Sequence, residues 1–148
     1  MKLKSFLLGI VFLFSQTVFA DWQIAIEQKK TFEKFAKTDE VELYTGDTVL
    51  NDFENLPTEN HHFLLIKINV QNQDATVEPF DSQKFTLKTD KNTYLRVSDD
   101  KFLQNYHIKP FTKLKIKKGV HDGHLLFEVP VEELKGETKL FYNEREVK

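Results

Sequence analysis

Phe63-Leu64-Leu65-Ile66-Lys67-Ile68-Asn69-Val70-Gln71 decides the fold. Leu64, Ile66, Ile68 and Val70 recur at every second position, and Lys67, Asn69 and Gln71 take the positions between. Successive side chains of an extended chain point to opposite sides, so a period of two is the mark of a half-buried β-strand. The polar run Asn72-Gln73-Asp74 then reads as a turn.

The same alternation recurs on both sides of that strand. Upstream, Trp22, Ile24 and Ile26 share a face against Gln23, Ala25 and Glu27. Val41 to Tyr44 reads as a second short strand, stopped by Gly46-Asp47. Downstream, Phe85 and Leu87 alternate with Lys84, Thr86 and Lys88, and Tyr94-Leu95-Arg96-Val97 resumes after Asp90-Lys91-Asn92. Those two runs predict a hairpin. Leu114 and Ile116 alternate with Lys113, Lys115 and Lys117, and Gly119 and Gly123 bracket an expected turn. Leu125, Phe127 and Val129 then share a face, opposite Leu126 and Glu128, up to Pro130. Leu140-Phe141-Tyr142 is the expected last strand, and the charged tail from Asn143 to Lys148 is expected to fray.

Three stretches are less regular. Phe32, Phe35 and Ala36 have helical spacing inside Lys29 to Asp39, which reads as a short helix or a charged loop. Asn51 to His62, with Pro57 inside it, reads as a long polar loop. Ser98 to Tyr106 reads as a short helix or a turn, with Ser98 or Asp99 as its cap. Seven to eight short strands at even spacing, with no long helix, predict an all-β, antiparallel, immunoglobulin-like β-sandwich. A small antiparallel barrel is the alternative.

Several of these segments together resemble a known family. They are Trp22-Gln23-Ile24, Leu64 to Asn72, the turn from Thr89 to Tyr94, Lys117-Lys118-Gly119, Phe127-Glu128-Val129-Pro130 and Leu140 to Tyr142. In this order they resemble the DUF4352-type immunoglobulin-like domains of exported bacterial proteins, similar in fold to secreted mycobacterial immunoprotective antigens. The chain departs from many relatives in lacking a lipobox cysteine and in carrying Asn92 where glycine is common. The resemblance implies a sandwich and an exported protein, and brings no catalytic residue.

The start of the chain agrees with export. Lys2 and Lys4 precede an apolar run from Phe6 to Phe14, and Val18-Phe19-Ala20 ends in a small residue. That order is a secretory signal peptide over 1–20, with cleavage expected after Ala20 and a single domain over 21–148. The run is shorter than the roughly 20 apolar residues of a membrane-spanning helix. Cleavage removes two of 21 bases and none of 23 acids, so the mature chain carries a net charge of −4. Mild acidity speaks against nucleic acid or an anionic membrane as partner. The chain has no cysteine. Disulfides and lipid attachment are therefore excluded, and stability must come from packing, in which ten phenylalanines of the mature chain have a large part. The product is expected in the periplasm or secreted, without membrane insertion.

Few side chains suggest chemistry. His61-His62 and His121-Asp122-Gly123-His124 are the candidate metal residues (His61, His62, His121, Asp122 and His124), since imidazole and carboxylate suit zinc or copper(II). Neither cluster completes a four-ligand pattern, so solvated loop histidines are the expectation and no cofactor is assigned. Asp90-Lys91-Asn92 begins like a calcium loop, but Leu95 and Lys101 stand where such a loop needs glycine and glutamate. Lys113, Lys115, Lys117 and Lys118 are expected on one strand face as guards against edge pairing. No serine lies in Gly-x-Ser-x-Gly, no His-Glu-x-x-His occurs, and Asp99-Asp100 and Glu132-Glu133 read as turn and surface charges. An enzyme is not expected. The expected function is a non-catalytic binding module of the cell envelope, with an unknown envelope protein or surface ligand as partner. Asn51 to His62 and Gly119 to His124 are its candidate surfaces. The alternative is a zinc or copper(II) binding protein using the histidines.

Overall fold

A computed structural model describes residues 17–19, 22–73, 78–98, 100–112 and 115–148. The expected cleavage point at Ala20, the caps's second candidate Asp99, and Lys113 and Leu114 lie outside the described residues. The chain forms an antiparallel β-sandwich of two four-stranded sheets.

The first sheet contains β1 (Thr17–Phe19), β2 (Trp22–Phe32), β5 (His61–Asn72) and β10 (Gly119–Pro130), in the order β1-β2-β5-β10. The second contains β7 (Phe85–Lys88), β8 (Thr93–Leu95), β11 (Lys139–Tyr142) and β12 (Arg145–Val147), in the order β12-β11-β7-β8. The chain changes sheet between β5 and β7, between β8 and β10, and between β10 and β11. With β2, β5 and β10 facing β12, β11, β7 and β8, this is the immunoglobulin-like arrangement, in which Greek-key crossings close the core. Two further pairs complete the strands: the hairpin of β3 (Phe35–Glu42) with β4 (Thr48–Asn55), and β6 (Glu78–Pro79) with β9 (Lys115–Ile116). A 3-10 turn covers Ser82–Lys84, and two short helices are α1 (Asp100–Asn105) and α2 (Val131–Leu134).

The core follows the alternation. Leu64, Ile66, Ile68 and Val70 of β5 and Leu125, Phe127 and Val129 of β10 meet Phe85, Leu87, Leu140, Tyr142 and Val147 from the facing sheet. Each such fully buried side chain contributes about 1.5–3 kcal/mol over leaving it exposed. Aromatic rings close one end, with Phe80 stacked on Tyr142 at 4.7 Å and edge-on to Phe111 at 5.5 Å. The tail is therefore not frayed. Asn143 and Glu144 take positive φ in a tight turn, and β12 returns along β11 to bury Val147. Its alternation, with one apolar residue in three, is too short to be read by period.

β10 is continuous through Gly123, where a turn is expected from the glycines. A Cβ at Gly123 would lie 2.9 Å from the Phe111 backbone, so glycine is required by close approach and not by a bend. Phe111 N–H donates to His124 O and His124 N–H to Lys109 O, which ties this segment to the strand. Gly119, at φ +120°, supplies the turn into β10.

The region 29–39 is strand, not helix. A β-bulge between Ile26 and Gln28 shifts the phase of β2. Before it Ile24 faces the core; after it Phe32 lies opposite Phe63 on the other side. The bulged Glu27 pairs with Lys67 at 2.9 Å and accepts from Asn69 at 3.2 Å. A bend at Glu33 between β2 and β3 then stacks Phe32 on Phe35 at 4.9 Å. The three-residue spacing reflects contact across that bend.

Candidate functional site

The hairpin β3–β4 leaves the sandwich between β2 and β5, and a second apolar cluster fixes its root. Phe63, Leu65 and Leu126 face away from the main core and are covered by Phe35 and by Leu103 of α1. Phe35 lies 5.2 Å from Phe63, 5.3 Å from Phe102 and 5.2 Å from Tyr106, centroid to centroid. Tyr106 donates its hydroxyl to Phe35 O at 3.2 Å and receives Asn55 Nδ2. One ring system thus grips both strands where they leave the body. Buried Arg96 holds α1 in place, donating to Phe111 O at 2.8 Å and pairing with Asp100.

Beyond the root the arm is exposed. Leu43, Val49, Leu50, Phe53 and Leu56 stand open to solvent, and Tyr44 at the tip is fully exposed. At the tip Leu43 N–H donates to Asp47 O at 2.7 Å, and Gly46 adopts φ +84°. Pairing of Lys37 with Phe53, Asp39 with Asn51 and Glu40 with Leu50 sorts the side chains. One face carries Lys37, Asp39, Val49 and Phe53, with the Lys37 ammonium 5.2 Å from the Phe53 ring centre. The other carries Ala36, Glu40, Glu42, Leu50, Asp52 and Glu54. Residues 35–55 hold six carboxylates and one lysine. The arm is both apolar and strongly acidic.

Asn51 to His62, expected as one polar loop, is thus the second strand of the arm and its return to β5. The return is tied down: Thr58 N–H reaches the Glu128 carboxylate, His61 N–H donates to Thr58 O at 2.9 Å, and Val131 N–H donates to Asn60 O at 2.9 Å. The hairpin was hidden because its side chains lack a buried face, although Val49 follows Gly46-Asp47 closely enough to signal a turn between two strands.

The histidines are placed apart. His61 and His62 pair with Pro130 and Val129, whereas His124 pairs with Lys67 and His121 with Val70. Five or six residues of extended strand, about 17–20 Å, separate His61 and His62 from His124. Within β10, His121 and His124 occupy opposite faces because they are three residues apart in a strand. One ring nitrogen of each of three faces a backbone carbonyl: His61 Nδ1 meets Glu59 O at 2.9 Å, His121 Nε2 meets Lys117 O at 2.8 Å, and His124 Nδ1 meets Lys109 O at 3.0 Å. Asp122 pairs with Lys109 at 2.9 Å, which holds its carboxyl below the usual range. Among the described residues no three His, Cys, Asp or Glu side chains gather to hold a metal ion. The turn from Gly119 to His124 is not a loop surface but part of β10.

Other charged candidates are braces. Glu133 receives Thr89 Oγ1 at 2.7 Å, Asn92 Nδ2 at 2.7 Å and Tyr94 Oη at 2.6 Å, and these donors lower its pKa, Tyr94 most. It fastens the Asp90-Lys91-Asn92 turn, which joins β7 to β8 as expected, to α2. Lysines 115, 117 and 118 do not form one strand face: β9 spans only Lys115–Ile116, and the next two residues bend into Gly119.

No protein-family profile matches the chain, and no curated protein matches it either. Solved structures share its fold. A conserved hypothetical protein from Bacillus anthracis superposes with a TM-score of 0.59 at 12% identity, covering 90% of this chain and 92% of that one. A functionally unknown protein from Listeria monocytogenes gives 0.55 at 13% identity, over 84% of this chain and 66% of that one. An uncharacterized β-sandwich protein from Clostridium difficile gives 0.51 at 10% identity, over 88% and 85%. This chain is thus similar in fold to bacterial β-sandwich proteins. Among the described residues no helix is long and apolar enough to cross a membrane.

Proposed function

We propose that this chain is an exported, non-catalytic binding module of the bacterial cell envelope whose contact surface is the β3–β4 arm. The observation that carries the reading is the arm itself: an aromatic root holds it rigidly while Leu43, Tyr44, Leu50, Phe53 and Leu56 stand in solvent. Exposed apolar clusters on a soluble domain mark contact sites. The signal-like order of residues 1–20 and the DUF4352-type segments support export and an immunoglobulin-like adhesive or accessory role. Cleavage after Ala20 would remove β1 and open the edge of β2 beside Trp22 to Ile24.

The test places a photo-crosslinking amino acid at Leu50 or at Lys88 on the opposite sheet, in the protein expressed in its own envelope. Adducts at position 50 that are missing at 88 are expected. Equal patterns at both positions, or none at either, overturn the arm as the contact surface. Terminal sequencing of the recovered protein should begin at Asp21; an uncut chain overturns the export reading.

A further inference from the structure

We infer that the face of the arm bearing Glu40, Glu42 and Leu50 docks a cationic amphipathic segment of another envelope protein, one in which apolar side chains are flanked by lysine or arginine. This deepens the proposed function and rests on the arm being its contact surface.

The face is apolar at its centre. Leu50 is 63% exposed and stands directly opposite Glu40 in the ribbon. Directly opposed side chains have Cβ atoms about 4.5–5.5 Å apart, and diagonal ones about 7–8 Å. Glu42, two residues beyond Glu40 on the same face, is the diagonal neighbour of Leu50. One exposed apolar group is thus flanked by two carboxylates, and any body that covers Leu50 also covers Glu40 and Glu42.

The charges decide what that body carries. Elsewhere on the arm Lys34 meets Glu54 at 2.8 Å, Lys37 meets Asp39 at 2.9 Å, and Asp47 accepts from the Thr45 hydroxyl at 2.9 Å. Among the described residues Glu40 and Glu42 have no hydrogen-bond or ion-pair partner. A carboxylate covered without a cation loses its water and gains nothing in return, so a neutral apolar partner is opposed. A second copy of this chain is opposed too, because it brings charge of the same sign. Six carboxylates against one lysine leave residues 35–55 at −5, whereas the whole chain carries −2, so the remainder is +3. Charge that only keeps a surface soluble is mixed and spread over it. Here it is gathered around exposed apolar side chains. A segment with lysine or arginine beside apolar residues answers both features, through charge-assisted hydrogen bonds at Glu40 and Glu42 and apolar contact at Leu50.

Short dye-labelled peptides test this on the protein purified from its envelope. A peptide alternating leucine and lysine should bind with a Kd of about 10 μM by fluorescence anisotropy, and more weakly as salt rises. A leucine–glutamate peptide should not bind, and a serine–lysine peptide should bind at least about tenfold more weakly, because the apolar contact is missing. Glu40→Gln with Glu42→Gln should weaken leucine–lysine binding at least about tenfold. Glu132→Gln with Glu144→Gln, which removes as much charge outside the arm, should leave it unchanged. Equal binding of the leucine–lysine and serine–lysine peptides, equal loss in the two double variants, or no binding of the leucine–lysine peptide overturns the inference. Mass spectrometry of adducts from position 50 reads the protein's own partner: the crosslinked segment should carry lysine or arginine beside apolar residues. An acidic or neutral segment, or one from a second copy of this chain, overturns the inference while the contact surface stands. If position 50 crosslinks nothing, both fall.

Discussion

In β5 the alternating Leu64, Ile66, Ile68 and Val70 are closed between two sheets, whereas in β4 Val49, Leu50 and Phe53 stand in solvent. Both segments are strands, so strand formation alone does not decide burial. The body has a second layer against its apolar face. Among the described residues the arm has one layer, and its root, at Phe35, is the part that joins the rest of the protein through a packed cluster. The body thus carries the stability of the domain, and the arm presents apolar and acidic groups at little cost to it.

The largest test of that contrast is Phe127→Ala, which should destabilise the domain by about 3–5 kcal/mol in urea unfolding, because a full ring leaves a cavity in the core. A loss below 1 kcal/mol there would erase the contrast. Next comes Arg96→Ala, expected to cost about 3 kcal/mol because it strips a buried cation from Asp100 and from the Phe111 carbonyl. Its effect should spread to the arm, since Arg96 holds α1 and α1 holds the root; backbone amide exchange in β3 and β4 would reveal it. Gly123→Ala should cost about 1–3 kcal/mol through overpacking on Phe111. Thermal denaturation that leaves Gly123→Ala unchanged would mean the segment around Phe111 yields freely.

The brace at Glu133 makes a smaller, pH-dependent contribution. Its folded pKa lies below the ordinary 4.5, so the unfolded chain binds the proton first. The contribution is complete above the ordinary carboxylate value and drains as pH falls from there through the folded pKa. Glu133→Gln should flatten that part of the stability curve between neutral and acid pH; an unchanged slope would remove Glu133 as its source. The smallest effect belongs to the arm. Val49→Ser should change unfolding stability by less than about 0.5 kcal/mol, as exposed substitutions do, while lowering crosslinking from position 50. A large loss of stability would show the arm to be part of the core.

Much of the body was legible. β5, the Leu125 to Val129 part of β10 and the β7–β8 hairpin follow from a period of two and from turn residues, because one face of each lines the main core and the pattern records that. The candidate site was not. Phe32 and Phe35 mimic a helix because a bulge at Glu27 changes the phase and a bend at Glu33 brings the rings together. β4 has no buried face to impose alternation, so its sequence reads as loop. Val147 lies in a three-residue strand whose burial depends on β11 beside it.

By itself the sequence determined the class: alternation, frequent turns and the lack of any long helical period admit only an antiparallel β protein, and the missing cysteines leave packing as its support. Tertiary structure decided what those strands do. Gly123 is a strand residue because Phe111 presses against it, and the histidines are separated because β5 and β10 run antiparallel. The arm is exposed because, among the described residues, no second sheet reaches it. Local pattern reports which way a side chain points; only the packing of distant segments settles what it meets there.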